Sequence, residues 1–274
     1  MVTITDKEFK LLAAFIKANY GINLKEEKQA LVYGRLQNVL AQRGFENFSE
    51  YYDYVITDKT NDAIGTLIEK ITTNHTFFMR EADHFHYFKN TVLPYLANTV
   101  NDKDLRIWSA GCSTGEEPYT LAMIIDEFFG EEKMRWNARI LATDISGKVL
   151  ETAKKGEYNN ESIAVIPANW RMNYFRRLDT DINRLIDKIR TEVIYRKFNL
   201  MEDTFPFKKK VHAIFCRNVM IYFDNVTKME LVNKFYEMTE AGGFLFVGHS
   251  ESLIREATRY KYIMPAVYRK EFTK

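Results

Sequence analysis

The chain has 274 residues, 46% apolar, 14% aromatic and 28% charged, which is enough to bury a sizeable core in one or two domains. Its formal net charge is only +2, so no overall attraction for a nucleic acid is expected. No uncharged apolar run reaches membrane-spanning length, and the N-terminus MVTITDKEFK lacks the apolar core of a signal peptide, so no direct membrane insertion is expected. Two cysteines, Cys112 and Cys216, cannot make a disulfide framework; buried free thiols in a reducing cytoplasm are the expectation.

Residues 1–72 read as an all-helical domain. Thr5 and Glu8 have the spacing of a capping box, and Phe9, Leu12, Ala13 and Ile16 follow on one helical face. A second helix fits Lys25 to Arg43, with Val32, Leu36, Val39 and Leu40 inward and Gly44 as its stop. Ser49 to Val55 and Asn61 to Ile71 give two more short helices. Lys25, Lys28, Arg35 and Arg43 outweigh Glu26 and Glu27 on the second helix. That basic face is either merely solvated or a docking surface for an acidic partner helix.

The stretch ITTNHTFFMR, from Ile71 to Arg80, is polar and then aromatic, and a linker or lid over 73–90 is expected. Asp83-His84-Phe85-His86 opens a helix up to Leu93-Pro94. His84 and His86 are two apart and so point to different faces, which argues against a metal site there.

From Leu105 onward strand and helix patterns alternate, as in an α/β doubly wound sheet. A short apolar strand, Leu105 to Ser109, runs into the turn Ser109-Ala110-Gly111-Cys112-Ser113-Thr114-Gly115 and then a helix from Glu116, with Pro118 in its first turn. Strand, glycine turn and helix together let a backbone approach a nucleotide-like ligand. No Lys follows Gly115, and the Gly111–Gly115 spacing is not that of a dinucleotide fingerprint. Glu116 and Glu117 would repel a diphosphate and suit a ligand carrying positive charge.

Asp144 closes the second strand, Arg139 to Thr143, where such folds bind ribose hydroxyls; it could equally cap the next helix, a task for which Ser146 competes. Residues 176–198 read as an inserted β element. The near-continuous apolar run VHAIFC, Val211 to Cys216, is a buried parallel strand with Arg217-Asn218 at its carboxyl end. A helix over Val226 to Thr239, a strand Phe244 to Gly248 and a last strand Tyr262 to Arg269 complete the sheet.

Five segments, ITTNHTFFMREADHF, WSAGCSTGEEPYTLA, ATDIS, IFCRNVMIYF and LFVGHSE, resemble in the same order those of the CheR family, the chemotaxis-receptor glutamate O-methyltransferases. The resemblance spans roughly residues 4–270. It implies a class I S-adenosylmethionine-dependent methyltransferase domain over 91–274, of Rossmann-like doubly wound type. A small antiparallel β-subdomain is inserted in it, and the all-helical domain precedes it. It also implies methylation of glutamate γ-carboxylates on the cytoplasmic helical bundle of chemoreceptors, in the cytoplasm and without a metal.

By the same resemblance, Asn74, Thr76 and Arg80 contact the cofactor from the linker. Gly111, Glu116 and Glu117 serve it from the turn, and Asp144 takes the ribose. Asn199 and Leu200 line the adenine side, while Arg217 and Asn218 close the methionine end. Arg80 and Tyr222 stand nearest the transferred methyl group. Some members tether to a receptor's C-terminal pentapeptide through a glycine-containing loop of the β-subdomain. Arg177 to Arg190 here contains no glycine, so independence of that tether is expected.

Two other functions compete. A nicotinamide-dependent oxidoreductase is disfavoured by the turn spacing and its glutamates. A catalytically silent module that senses the nucleoside or scaffolds a receptor array is disfavoured by the joint presence of Arg80, Asp144 and Asn218.

Overall fold

The computed structural model describes residues 3–272 apart from 61, 73 and 74. Its N-terminal unit is built from α1 (Asp6–Tyr20), α2 (Gln29–Arg43), α3 (Phe48–Thr57) and α4 (Asp62–Ile71). The capping box forms: the Glu8 amide donates to the Thr5 hydroxyl and the Thr5 amide to the Glu8 carboxylate. Two amides that a helix start leaves open are thereby satisfied. The second helix is shorter than its pattern suggests, because Glu26–Lys28 forms a tighter 3-10 turn ahead of it. Phe9, Leu12 and Ile16 meet Val32, Leu36, Leu40, Tyr51 and Leu67 in one apolar core.

The irregular linker ends at Glu81 rather than near residue 90. A helical rod then runs through α5 (Ala82–Tyr87), wide π turns at Phe88–Val92 and α6 (Leu93–Thr99). Pro94 therefore does not stop the rod as its sequence suggests. It sits in the first turn of the last segment, and the wider turns before it remove the bond its missing N–H would have made.

The strands and helices that follow are β1 (Ile107–Ala110), α7 (Glu116–Phe129), β2 (Ile140–Asp144) and α8 (Gly147–Lys155). Next come β3 (Glu157–Asn159), α9 (Asn160–Ala164), α10 (Ala168–Tyr174), β4 (Phe175–Arg177), β5 (Ile182–Leu185) and α11 (Asp187–Arg190). The chain ends through β6 (Val193–Lys197), β7 (Val211–Cys216), α12 (Asn225–Met238), β8 (Thr239–Val247), β9 (Lys261–Met264) and β10 (Val267–Arg269).

Seven of these strands form one sheet in the order β6-β2-β1-β7-β8-β10-β9, and β3-β5-β4 form a separate small one. The large sheet is parallel from β6 through β8, and β10 and β9 are added antiparallel. β1 and β7 are buried along their whole length, as central parallel strands are. Phe215 stacks on Phe246 at 4.2 Å between centroids, and Phe88 meets Phe215 edge-on, closing one face of the sheet under the rod.

Two strand assignments differ from the sequence reading. Val193–Lys197 pairs in parallel with β2 and belongs to the large sheet, so the inserted antiparallel element is made from 157–159, 175–177 and 182–185 instead of 176–198. Its half-exposed alternation is what any edge strand shows, and alternation alone does not name the partner. The last strand is a hairpin that turns at Pro265-Ala266.

The helical unit is docked on the sheet's carboxyl edge. Ile22 bridges Phe223, the Asn23 amide donates to the Tyr222 carbonyl at 2.8 Å, and Asn199 Nδ2 donates to the Asn19 carbonyl at 2.8 Å. Lys17 pairs with Asp224 at 2.7 Å.

Of the four basic residues expected on the second helix, Lys25 and Lys28 fall before and within the 3-10 turn, and Arg35 has a structural task. Its Nη1 donates to the carbonyls of Lys70, Ile71 and Thr72 at 3.1–3.3 Å, satisfying the end of α4. Arg35→Glu removes those bonds and sets a negative charge against the negative end of a helix. Urea denaturation should show a loss of about 2–3 kcal/mol.

Candidate active site

The order of the large sheet reverses between β1 and β7, and in open α/β sheets a crevice forms at that point, beyond the carboxyl ends of the strands. The turn after β1 forms one lip. The amides of Gly111 and Cys112 both donate to the Thr143 carbonyl, at 2.8 and 2.9 Å, so the turn folds across the end of β2. Gly111 has φ +82° and lies under Val219, where an added Cβ would stand 2.3 Å from Cγ2. Gly115 has φ +99° and faces the Tyr195 hydroxyl, 2.7 Å from where a Cβ would be. Both positions require glycine for conformation and for space.

Asp144 stands at the end of β2. Its carboxylate accepts the Ser113 amide at 2.9 Å and the Ser146 amide at 3.0 Å. Ser146, and not Asp144, caps α8 by accepting the Val149 amide. Burial pushes the Asp144 carboxyl up, against the lowering effect of its amide donors. It is half-buried and lines the crevice.

Beyond β7, Arg217 is the hub. It is 6% exposed, and its Nη1 donates to Glu117 at 3.0 Å while Nε and Nη2 reach Glu81 at 3.3 and 3.1 Å. Nη2 also donates to the Arg80 carbonyl, and the guanidinium lies over the Phe85 ring at 5.1 Å. Burial pushes Glu117 up, opposed by Arg217 and by the Ser109 hydroxyl at 2.7 Å. Glu81 is shifted the other way: burial raises it, but Arg217 and the His249 amide outweigh that and hold it low. Two carboxylates on one guanidinium leave a net negative wall, which suits a ligand with positive charge.

Asn218 follows with φ 60°, a left-handed position that asparagine takes more readily than other non-glycine residues. Glu251 holds it there. This buried carboxylate accepts the amides of Gly248, Asn218 and Ile221 at 2.6, 2.7 and 3.0 Å. From the linker, Arg80 lies over the Phe77 ring, and its Nη1 donates to the His75 carbonyl at 2.6 Å.

These elements enclose a cavity of about 460 Å³, within the usual range for a small-molecule site. Thr76, Arg80, Gly111, Glu117, Asp144, Asn199, Leu200, Arg217, Asn218 and Tyr222 all line it. Asn74 falls outside the described residues. Glu116 is turned away: it is buried and accepts the Thr114 hydroxyl at 2.7 Å, because successive helical residues point about 100° apart.

Residues the sequence reading did not single out complete the wall. Tyr20, Ile22, Ile68 and Glu69 come from the helical unit, and Glu81 and Glu251 stand behind the lining. Glu81 and Glu251 did lie inside recognised segments, READHF and GHSE. Neither carries a local signal: Glu81 follows Arg80 directly in sequence yet pairs with Arg217, and Glu251 is set by the amides of Asn218 and Ile221 as well as Gly248.

Of the basic residues proposed for docking, Lys25 and Lys28 are exposed, whereas Arg43 is engaged with Tyr54 at 2.5 Å. Burial pushes both thiols well up, which disfavours nucleophilic roles. Glu81, His84 and His249 form a cluster of metal-ligand composition among the described residues. Its carboxylate is already taken by Arg217, Asn218 and the His249 amide, and a second cation would face the guanidinium.

Fold and site together define a class I methyltransferase of the S-adenosylmethionine-dependent kind. A family model described as CheR methyltransferase, SAM binding domain, matches residues 74–268, and one described as CheR methyltransferase, all-alpha domain, matches residues 7–72. The chain belongs to the CheR methyltransferase family.

A chemotaxis protein methyltransferase of Borreliella burgdorferi is 42% identical over 272 residues, covering 98% of this chain and 96% of the relative. A probable chemotaxis protein methyltransferase of Rhizobium etli is 34% identical over 93% of this chain and 99% of its own length. The chemotaxis protein methyltransferase of Escherichia coli is 33% identical over 97% and 92%.

The tight approach at Gly111 gives a test of this architecture. Gly111→Ala should destabilise the protein by about 2–4 kcal/mol, from the left-handed φ and the collision with Val219 together. Adding Val219→Ala should recover only the collision part. A double-mutant cycle in urea separates the two.

Proposed function

We propose that this protein transfers a methyl group from S-adenosylmethionine to glutamate γ-carboxylates on the cytoplasmic helices of chemoreceptors, and that it acts in the cytoplasm. The observation that carries the reading is the joint placement, around one cavity, of a half-buried ribose-type carboxylate at Asp144 and a guanidinium at the mouth from Arg80. The cavity volume, the net negative Glu81–Arg217–Glu117 wall and the bare backbone at Gly111 fit the donor. That donor supplies an electrophilic methyl on a sulfonium.

Asp144 accepts the ribose hydroxyls, and Asn199 and Leu200 hold the base. Thr76, Glu117, Arg217 and Asn218 bind the amino-acid end, together with Asn74. Glu116 acts one step back, by bracing Thr114 in the turn. Arg80 and Tyr222 orient the incoming carboxylate. A glutamate carboxylate is ionised at neutral pH, its reference pKa being about 4.3, so no side chain has to accept a proton and the reaction asks for no metal. Phe77 and Tyr222 limit water at the mouth. Alignment is the main contribution, and proximity can supply up to about 7–11 kcal/mol.

Lys25 and Lys28 present the positive face to the acidic receptor helix, supported at longer range by Arg43; Arg35 contributes charge but is bound to the end of α4. The loop between β4 and β5 is pinned by Asp179, whose carboxylate accepts the Asp181 and Ile182 amides at 2.8 Å. That turn needs no glycine, and the protein works without a receptor pentapeptide tether.

Labelled methyl donor and receptor membranes should give a base-labile methyl ester on receptor glutamates; none appearing would reject the enzyme reading. Asp144→Asn should weaken S-adenosylhomocysteine binding by about ten- to a hundredfold in calorimetry, about 1.4–2.7 kcal/mol. The Lys25→Glu/Lys28→Glu pair should raise KM for receptor several-fold at low salt, and less at high salt, with kcat unchanged.

A further inference from the structure

Arg80 lines the cavity beside Thr76 and Phe77 of the same linker, and the two residues that flank it are both strained. Met79 has φ 60° and Glu81 φ 53°, so a short backbone reversal presents Arg80. Nothing in the linker's own sequence favours that geometry, since neither position is glycine. It has to be held from outside.

Glu81 sits at the N-cap position of α5, where an acidic side chain usually satisfies the helix's first amides. It makes no capping bond. Instead its carboxylate turns into the wall behind the cavity, where Oε2 accepts Nε and Nη2 of Arg217. Oε1 accepts the His249 amide at 3.2 Å and Asn218 Nδ2 at 3.4 Å. Arg217 in turn donates to the Arg80 carbonyl, closing a ring of bonds around the reversal. His84, fully buried, packs beside it with Nδ1 at 3.5 Å.

We infer that Glu81 is the positioning residue of the site. Its carboxylate latches the linker to the ends of β7 and β8, fixing Arg80 at the mouth and Arg217 in the wall. The inference rests on the methyltransferase reading above. Glu81 touches neither donor nor acceptor, so its loss should act through Arg80 and Arg217. The burden falls on donor affinity and turnover, not on receptor docking, which uses the distant basic helix.

The test is Glu81→Gln, which keeps size and one carbonyl acceptor but removes the charge, alongside Glu81→Asp, which keeps the charge on a shorter arm. The expected result for Glu81→Gln is a rise of about tenfold in the Kd for S-adenosylhomocysteine and a fall of about tenfold in kcat, with KM for receptor within about twofold of wild type. Amide hydrogen exchange over residues 78–82 should quicken while the rest of the chain is unchanged, and Glu81→Asp should lie between the two. Unchanged Kd and kcat in Glu81→Gln would overturn the inference. So would a failure of both variants to fold, which would assign Glu81 to the fold and not to the site. A wild-type protein that binds no S-adenosylhomocysteine would instead reject the underlying reading.

Discussion

Burying a guanidinium costs several kcal/mol unless it is both paired and fully hydrogen-bonded. Arg217 meets that demand at the point where β7 ends, and the partners it recruits come from two separate parts of the chain. Glu117 arrives on the first turn of α7, Glu81 from the linker, and the Arg80 carbonyl from the same linker's backbone. The face of Phe85 covers the remaining side. The electrostatic requirement of one side chain thus fixes the relative positions of turn, linker and sheet edge. It also explains why the two carboxylates shift in opposite senses. Glu117 is dominated by burial, whereas Glu81 gains a backbone amide in addition to the guanidinium.

The same device recurs around the cavity with backbone amides in place of the guanidinium. Asp144 takes the amides of Ser113 and Ser146, and Glu251 takes three more. The loops at a ligand crevice cannot use sheet or helix bonds, yet their buried amides still need acceptors. A carboxylate with two oxygens can organise several amides at once, so irregular backbone keeps one shape. Ser113 and Asn218, both non-glycine residues with positive φ, donate their amides to these carboxylates. Strain at the crevice is offset by charge-assisted bonds behind it.

This explains which parts could be read from the sequence. The strand–turn–helix at 105–129, the Thr5 cap and the buried strand at 211–216 are local patterns, and each carries its own signal within a few residues. The membership of β6, the Pro265-Ala266 reversal and the continuation of the rod past Pro94 depend on neighbours in space. A half-exposed strand or a proline looks the same with either outcome. Within the site, Asp144 and Gly111 were legible because strand ends and glycine turns are local. Glu81, Glu251 and the capping task of Arg35 were not, because each is defined by a partner tens of residues or more away. Glu116 and Glu117 show the limit most directly. Adjacent and identical in sequence, they differ only by the helical rotation that sends one to the cavity and the other beneath the turn.

The helical unit is more than an appendage carrying a basic face. Tyr20, Ile22, Ile68 and Glu69 form part of the cavity wall, and the unit's core includes packing against Ile145, Tyr222 and Phe223 from the other half. Two of those three residues sit in the segment that follows Asn218, directly at the mouth. The Asn23–Tyr222 backbone bond and the Lys17–Asp224 pair, together with Lys148–Glu69 at 2.8 Å across the other flank, tie the two halves at both sides of the opening. A wall shared between two folding units means that loosening their contact also opens the cavity. The basic face of the helical unit and the cavity wall therefore belong to one packed body, joined in part by the apolar contacts of Tyr222 and Phe223.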